Sequence, residues 1–372
     1  MTKKYSKFLT GLFCAFIGGV FLLSLLLPKQ SFSPLENRYL AQAPELSLES
    51  LSDGTFMEDA EDYVSDHIVG RDLWVALKSW SERLSGKQEN NGVYFAEGDA
   101  LINRVEEPNR DKLAKDMGYV DELVGNVSVP VYFGLIPTAA AVWADKLPQG
   151  APTADELGII DQLYFSTGAG TIDLAGALLQ HKDEAIYYRT DHHWTSLGAF
   201  YGANAIFSAM GLAPLELGDY EKTTVSTDFN GTIFSSSGVR WVPPDTIDTY
   251  VPEEGVTVTS YFTGSPEEGA LYVEEFLDKK DQYSYFLGGR QPLCVIETAQ
   301  TDGPSVLVIR DSYTDSLAPF LTQRFSQIHL YDPRDNMTSI RQYVQDHDID
   351  TVVVLYSFSN FISDGNLFLL AR

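Results

Sequence analysis

Two short stretches carry the residue types that acyl chemistry requires. In RTDHHWTSLGAFYGA, Asp191, His192, His193 and Trp194 stand between an expected strand (185–188) and an expected helix (196–210, ended by Gly211), with Thr195 or Ser196 placed to cap that helix. In VLVIRDSYTDS, Ser312 follows an apolar strand and precedes a helical run. A serine at such a turn projects its hydroxyl from a tight bend, and the N–H groups at the helix start can receive developing negative charge. A hydroxyl is a weak nucleophile and needs a base within hydrogen-bond reach. Of the six histidines, His193 and His192 are the economical choices. In extended backbone, side chains at i and i+2 share a side. Asp191 and His193 are therefore expected to pair, the carboxylate fixing the imidazole tautomer, with His192 on the other face in a core role. The reading is a triad of Ser312, His193 and Asp191. Two plainer readings stand beside it. A strand–Asp-Ser–helix junction often serves only as a turn and cap, and Asp-His-His could ligate a metal. A closed metal site needs three or four convergent ligands, whereas extended backbone sends the two imidazoles apart, so neither metal nor cofactor is expected.

The elements that must hold these residues follow from periodicity. VPVYFGLIP (129–137), SVLVI (305–309), QIHLY (327–331) and TVVVLY (351–356) are apolar, β-rich runs, and AIYY (185–188) is a shorter one. Helical segments are expected at 153–165, 196–210, 317–325 and 337–346. This alternation predicts an α/β domain with a mainly parallel sheet covered on both faces, its sites at the carboxyl ends of the strands. VYFAEGDALI (93–102) predicts a hairpin turning at Gly98 and Asp99. The stretch 212–289 is rich in Gly, Thr, Ser and Pro and is expected to be an inserted segment of hairpins and loops. Upstream, 28–47 reads as a polar linker. A helical stretch at 53–84 follows, broken at Gly70, with Phe56, Tyr63, Ile68, Leu73, Leu77 and Trp80 as candidates for its apolar face.

Residues 8–27 contain no ionisable acid or base, and twenty helical residues span about 30 Å, the thickness of a bilayer's hydrocarbon core. Lys3, Lys4 and Lys7 precede the run, which leaves 1–7 in the cytoplasm and the rest extracytoplasmic. The competing reading is secretion after signal cleavage. Its small-x-small site would have to be Ala41-Gln42-Ala43, far downstream, because Pro28, Lys29 and Gln30 follow the apolar run directly. The expected organisation is thus a cytoplasmic terminus (1–7), a membrane anchor (8–27), a linker and helical lead-in (28–90) and the α/β domain (91–372). The 372-residue chain has a net charge of −26, which opposes phosphate contacts and argues against a nucleic-acid partner. Its apolar share of 44% suffices for a core, and its two cysteines, Cys14 and Cys294, are read as unpaired.

The run TDHHWT resembles the signature of the bacterial DHHW family, which is similar to the AlgX/AlgJ-type SGNH-hydrolase-like proteins of exopolysaccharide O-acetylation. ENRYLAQAPELS, YVSDHIVGRD, FNGTIFSSSG, YFLGG and RDSY look like further family blocks. The resemblance implies a three-layer αβα, SGNH-hydrolase-like domain. In the AlgX/AlgJ group an Asp-x-His motif precedes the serine in sequence. Carried over, this implies Asp191 and His193 as acid and base partners and Ser312 as nucleophile. Arg310-Asp311-Ser312 departs from the Gly-Asp-Ser or Gly-Thr-Ser more usual in these enzymes, and Asn360 is the candidate oxyanion donor. Trp194, Trp241, Tyr285 and Tyr313 are candidate sugar-stacking faces, and Trp194, Tyr313, Arg310 and Asn360 the candidate substrate contacts. The function expected is membrane-anchored O-acetyl transfer to a cell-surface polysaccharide through an acyl-serine. Acyl-CoA is cytoplasmic, so the resemblance implies a multi-pass membrane O-acyltransferase as donor. A carbohydrate esterase with the same site, and a non-catalytic polysaccharide-binding or assembly protein, are the alternatives.

Overall fold

A computed structural model describes residues 3–372, which divide into two compact units: residues up to Asn91 with Phe234–Trp241, and Gly92–Ile233 with Val242–Arg372.

The larger unit is built on an eight-stranded sheet. Its strands are β1 (Val131–Ile136), β2 (Gly170–Thr171), β3 (Thr257–Ser260), β4 (Glu267–Gly269), β5 (Leu293–Glu297), β6 (Ser305–Arg310), β7 (Gln327–Tyr331) and β8 (Thr351–Ser357), in spatial order β4-β3-β5-β7-β6-β8-β1-β2. From β7 to β2 all pairings are parallel, as expected for runs such as SVLVIR in which every side chain is buried. β5, β3 and β4 continue the sheet antiparallel from β7. Within 212–289, β3 and β4 extend the sheet edge, while Thr223–Phe229 and Asp245–Thr249 form a separate antiparallel pair. The hairpin Val93–Ala96/Ala100–Asn103 turns through Gly98 and Asp99, both at positive φ.

Helices cover both faces of the sheet. On β1 the Phe133 ring packs on Phe361, 5.4 Å between centroids, in the short helix Phe358–Ser363. The next residue, Gly134, faces the opposite helix Leu174–Gln180, where a Cβ would lie 3.0 Å from Leu174 Cδ1; only glycine lets helix and strand approach so closely. The architecture is the three-layer αβα arrangement with a mainly parallel sheet. Two expected elements differ. AIYY is no sheet strand: it makes a single antiparallel bridge, Tyr187 to Trp194, and folds back on the histidine loop. The helix expected at 317–325 is Tyr313–Leu321, because the Asp311 carboxylate accepts the Tyr313 N–H at 3.0 Å and starts the helix directly after Ser312.

Glu156, at the start of helix Glu156–Ser166, is buried and accepts from the Thr138 N–H and hydroxyl. Burial pushes its carboxyl up to about 7, and the Thr138 hydrogen bonds only partly offset this. The native state thus holds this proton more tightly than the unfolded chain, so stability falls as pH rises from about 4.5 to about 7 and levels above. Glu156→Gln still accepts the Thr138 N–H, meets the Thr138 hydroxyl as a donor instead of an acceptor, and removes the titration. We expect urea unfolding at pH 8 to show it more stable than wild type by about 2–3 kcal/mol, the difference vanishing at pH 4.

In the smaller unit an exposed helix, α1 (Lys3–Leu26), is the single span of membrane-crossing length and apolarity among the described residues. Helices α2 (Thr55–His67) and α3 (Arg71–Leu84) follow, separated at Gly70 in the left-handed conformation. Asp66 and Glu36 share the guanidinium groups of Arg38 and Arg71, joining ENRYL to SDHIVGRD. Phe56, Tyr63 and Ile68 are half-buried, but Leu73, Leu77 and Trp80, expected to face a core, are exposed. Cys14 and Cys294 are both free.

Candidate active site

The site forms at the carboxyl edge of the parallel strands. β6 ends at Arg310, and the chain turns through Asp311 and Ser312 into helix Tyr313–Leu321. Asp311 fixes this turn. Fully buried, it accepts from the Ser357 N–H (2.8 Å) and hydroxyl (2.7 Å) at the end of β8, from Asn360 Nδ2 (2.8 Å), and from the Tyr313 N–H. Arg310, also fully buried, lies beneath the turn and donates from Nη1 to Asp315 Oδ1 at 2.6 Å. Burial works against its charge, and the carboxylates of Asp315 and Asp332 outweigh it. Ser312 is left partly exposed among buried neighbours.

The histidine loop meets this turn from residues far away in sequence. Ser312 Oγ lies 2.8 Å from His193 Nε2, and His193 Nδ1 lies 2.6 Å from Asp191 Oδ1. The carboxylate assigns the imidazole proton to Nδ1 and leaves the Nε2 lone pair facing the hydroxyl. Burial alone would push the Asp191 carboxyl up. The positive charges that His192 and His193 carry at the acid pH where Asp191 titrates, the hydrogen bond from His193 and the Thr232 N–H outweigh it and hold the group well below the usual carboxylate range.

Asp191 and His193 meet, but not through a pleat. Residues 189–193 are bent, and Asp191 Oδ1 also accepts the His193 backbone N–H at 3.0 Å, a local turn that folds the carboxylate under the ring. The same bend overturns the expected divergence of the imidazoles: the His192 and His193 rings are 3.9 Å apart. His192 donates from Nδ1 toward Thr232 Oγ1 at 2.7 Å, and burial together with His193 pushes it down to about 4, leaving it neutral at neutral pH. Asp191, His192 and His193 offer ligand atoms within 4.8 Å of one another. Both Asp191 oxygens and both His193 ring nitrogens are already hydrogen-bonded, so a metal there would have to displace at least one of these bonds.

Two residues that the motifs left unassigned complete the constellation. The Thr232 N–H (2.7 Å) and hydroxyl (2.9 Å) both donate to Asp191 Oδ2. Beside it, Gly231 sits so close to Asp191 that a Cβ would fall 2.3 Å from the Asp191 Cβ. The Tyr283 ring stacks on His193, 3.7 Å between centroids and 8° from parallel, and its hydroxyl donates to the Ser312 carbonyl at 3.1 Å. FNGTIFSSSG pointed to the first only as a block, and nothing local marks Tyr283. Thr232→Val keeps the shape and the N–H but removes the hydroxyl that Asp191 and His192 share. We expect a fall in kcat/KM of about tenfold, read on an acetyl ester.

The expected substrate contacts fall elsewhere. Trp194 is fully buried, donating Nε1 to the Tyr313 carbonyl at 2.9 Å, and Tyr313 is buried with its hydroxyl on the His192 carbonyl. Neither offers a face to a sugar. Tyr285 is buried against Tyr272, and Trp241 belongs to the smaller unit, beside Trp80. Arg310 serves the turn from below. Asn360 donates one Nδ2 hydrogen to Asp311.

The fold is the SGNH-hydrolase-like αβα arrangement with a mainly parallel sheet, and Ser, His and Asp side chains meet at its carboxyl edge. The chain belongs to the DHHW family: residues 129–331 match the family described as DHHW protein. A DHHW family protein from Eubacterium siraeum is 26% identical with a TM-score of 0.66, covering 76% of this chain and 95% of that one. PatB1 from Bacillus cereus, solved with a sulfonyl adduct, is 23% identical with a TM-score of 0.61, covering 73% of this chain and 98% of that one. The O-acetyltransferase domain of Pseudomonas putida AlgJ is 14% identical with a TM-score of 0.45, covering 73% of this chain and 93% of that one. A comparison with curated proteins returned no match.

Proposed function

We propose that the protein is an extracytoplasmic O-acyltransferase, held to the membrane by α1, that moves an acetyl group onto a cell-surface polysaccharide. The observation that carries this reading is the continuous relay from Ser312 Oγ through His193 to Asp191, with contacts of 2.8 and 2.6 Å. In the first half-reaction His193 Nε2 takes the Ser312 proton as Oγ attacks the acyl carbonyl. The bond to the donor's oxygen then breaks, His193 returns the proton to that leaving oxygen, and acyl-Ser312 remains. In the second, a sugar hydroxyl loses its proton to His193 and attacks the acyl-serine; Ser312 leaves and regains the proton. Negative charge on the carbonyl oxygen develops beside the first turn of helix Tyr313–Leu321, whose dipole favours it. A membrane O-acyltransferase supplies the acyl group, because acyl-CoA does not reach this side of the membrane.

Water and a sugar hydroxyl are equivalent acceptors for the acyl-serine, so the test must separate them. The purified chain is incubated with an acetyl ester and an oligosaccharide, and both free acetate and acetylated sugar are measured. Sugar acetylation above the rate of acetate release supports the transferase. Acetate release alone assigns an esterase, and neither product assigns a binding or assembly protein.

A further inference from the structure

His192 carries one ring nitrogen that the relay leaves unused. Its neighbours fix its tautomer. The Asp191 carboxylate is ionised, and as the stronger acceptor it takes the Thr232 hydroxyl hydrogen on Oδ2 at 2.9 Å. The Thr232 oxygen is then left to accept from His192 Nδ1, 2.7 Å away. The proton of the neutral ring therefore sits on Nδ1, and Nε2 presents a lone pair. That nitrogen has no partner among the described residues and is not sealed from solvent. Enclosed on most sides, the His192 side chain still keeps 36% of its surface open, against 6% for His193, and the two rings lie 3.9 Å apart. An approaching molecule thus meets two imidazole edges side by side: His193, whose Nε2 handles the reacting proton, and His192, whose Nε2 only accepts.

We infer that His192 Nε2 selects the acyl acceptor, by accepting a hydrogen bond from a second hydroxyl of the molecule whose first hydroxyl attacks acyl-Ser312. The inference rests on the acyl-transfer reading and adds to it the acceptor's chemical class, a ring with hydroxyls on neighbouring carbons. The second hydroxyl keeps its proton throughout. The first gives its proton to His193 and bonds to the acyl carbon, and Ser312 Oγ leaves and takes that proton back. Three features favour this role. First, a purely structural histidine would turn both nitrogens inward, whereas here one is anchored on Thr232 and the other is open. Second, His193 becomes a cation as the acceptor attacks, and a charged neighbour at this distance would oppose that step. Burial and His193 keep His192 neutral, so it can accept a hydrogen bond without repelling the imidazolium. Third, an ester carbonyl has no hydrogen to offer Nε2, whereas a polyol does, so the contact belongs to the acceptor. Water can also donate to Nε2. In a diol, however, the second O–H arrives on the same rigid frame as the first, and docking it costs little further freedom.

The test partitions the acyl-serine between acceptors, so that the rate of its formation cancels. The full chain is given an acetyl ester together with cis- or trans-cyclohexane-1,2-diol or with cyclohexanol, a sugar-sized ring with and without the neighbouring hydroxyl. Acetylated alcohol and free acetate are both measured. Their ratio, counted per hydroxyl, is expected to be about five- to tenfold higher for at least one diol than for cyclohexanol. His192→Asn keeps an N–H toward Thr232 but removes the outer acceptor, and should abolish that advantage. His192→Gln places an amide oxygen near the position of Nε2 and should recover part of it. Equal ratios for the diols and cyclohexanol in wild type overturn the inference without any variant, as does an advantage that persists in folded His192→Asn. Acetylated oligosaccharide without a diol advantage removes this assignment alone. If the oligosaccharide and the cyclic alcohols alike yield only acetate, the transferase reading falls and this assignment falls with it.

Discussion

Ser312→Ala is expected to lower kcat/KM for acyl transfer by at least about 10³-fold while shifting the melting temperature by less than about 2 °C. The two halves of this prediction rest on different observations. Among the described residues the hydroxyl is the one side-chain group hydrogen-bonded to His193 Nε2, so no other side chain stands ready to take over attack on a carbonyl. It also carries little of the fold. Ser312 begins helix Tyr313–Leu321 without a side-chain cap hydrogen bond, at φ −65° and ψ −16°, a conformation alanine adopts freely. The capping that matters is done by Asp311. A large loss of activity with a native melting curve therefore isolates the chemistry from the scaffold.

The largest stability effect is expected at Arg310. Its guanidinium has no exposed surface, and Nε and Nη2 have no partner among the described residues, so the Asp315 ion pair is what makes its burial tolerable. Arg310→Met leaves the Asp315 carboxylate buried without its counter-ion, which costs about 3–5 kcal/mol, a melting temperature lower by roughly 10 °C. The sign with pH follows from the orphaned carboxyl. With its cation gone, the folded state favours protonated Asp315, so the variant loses stability as pH rises. The deficit against wild type should be smaller at pH 5 than at pH 8 in urea unfolding. Adding Asp315→Leu should recover part of the loss, because no charge is then left behind.

Arg310 also illustrates what the sequence could and could not convey. The parallel core was legible because strands buried on both faces must be apolar throughout, and SVLVI, QIHLY and TVVVLY coincide with β6, β7 and β8 to within a residue. The meeting of Asp191 with His193 was legible from their spacing, although the structure achieves it by a turn closed on the His193 N–H rather than by a pleat. That difference explains why His192 was misplaced: a bend keeps neighbouring side chains together where an extended strand would separate them. AIYY failed as a strand for a related reason, since its one bridge is to its own loop. Trp194 and Tyr313 bear the rings that sugars stack on, but residue type says nothing of burial, and both are inside. Tyr283, stacked on the imidazole from 90 positions away in the chain, left no local trace at all.

The central claim is that Ser312 is a nucleophile activated by His193 and Asp191. Intact-mass and peptide analysis of the full chain treated with a serine-directed fluorophosphonate or sulfonyl fluoride tests it most directly. The account predicts one adduct per chain, on the peptide containing Ser312, absent in Ser312→Ala and strongly slowed in His193→Ala. An unlabelled chain beside a labelled control hydrolase, or an adduct on another residue that persists in Ser312→Ala, would contradict it.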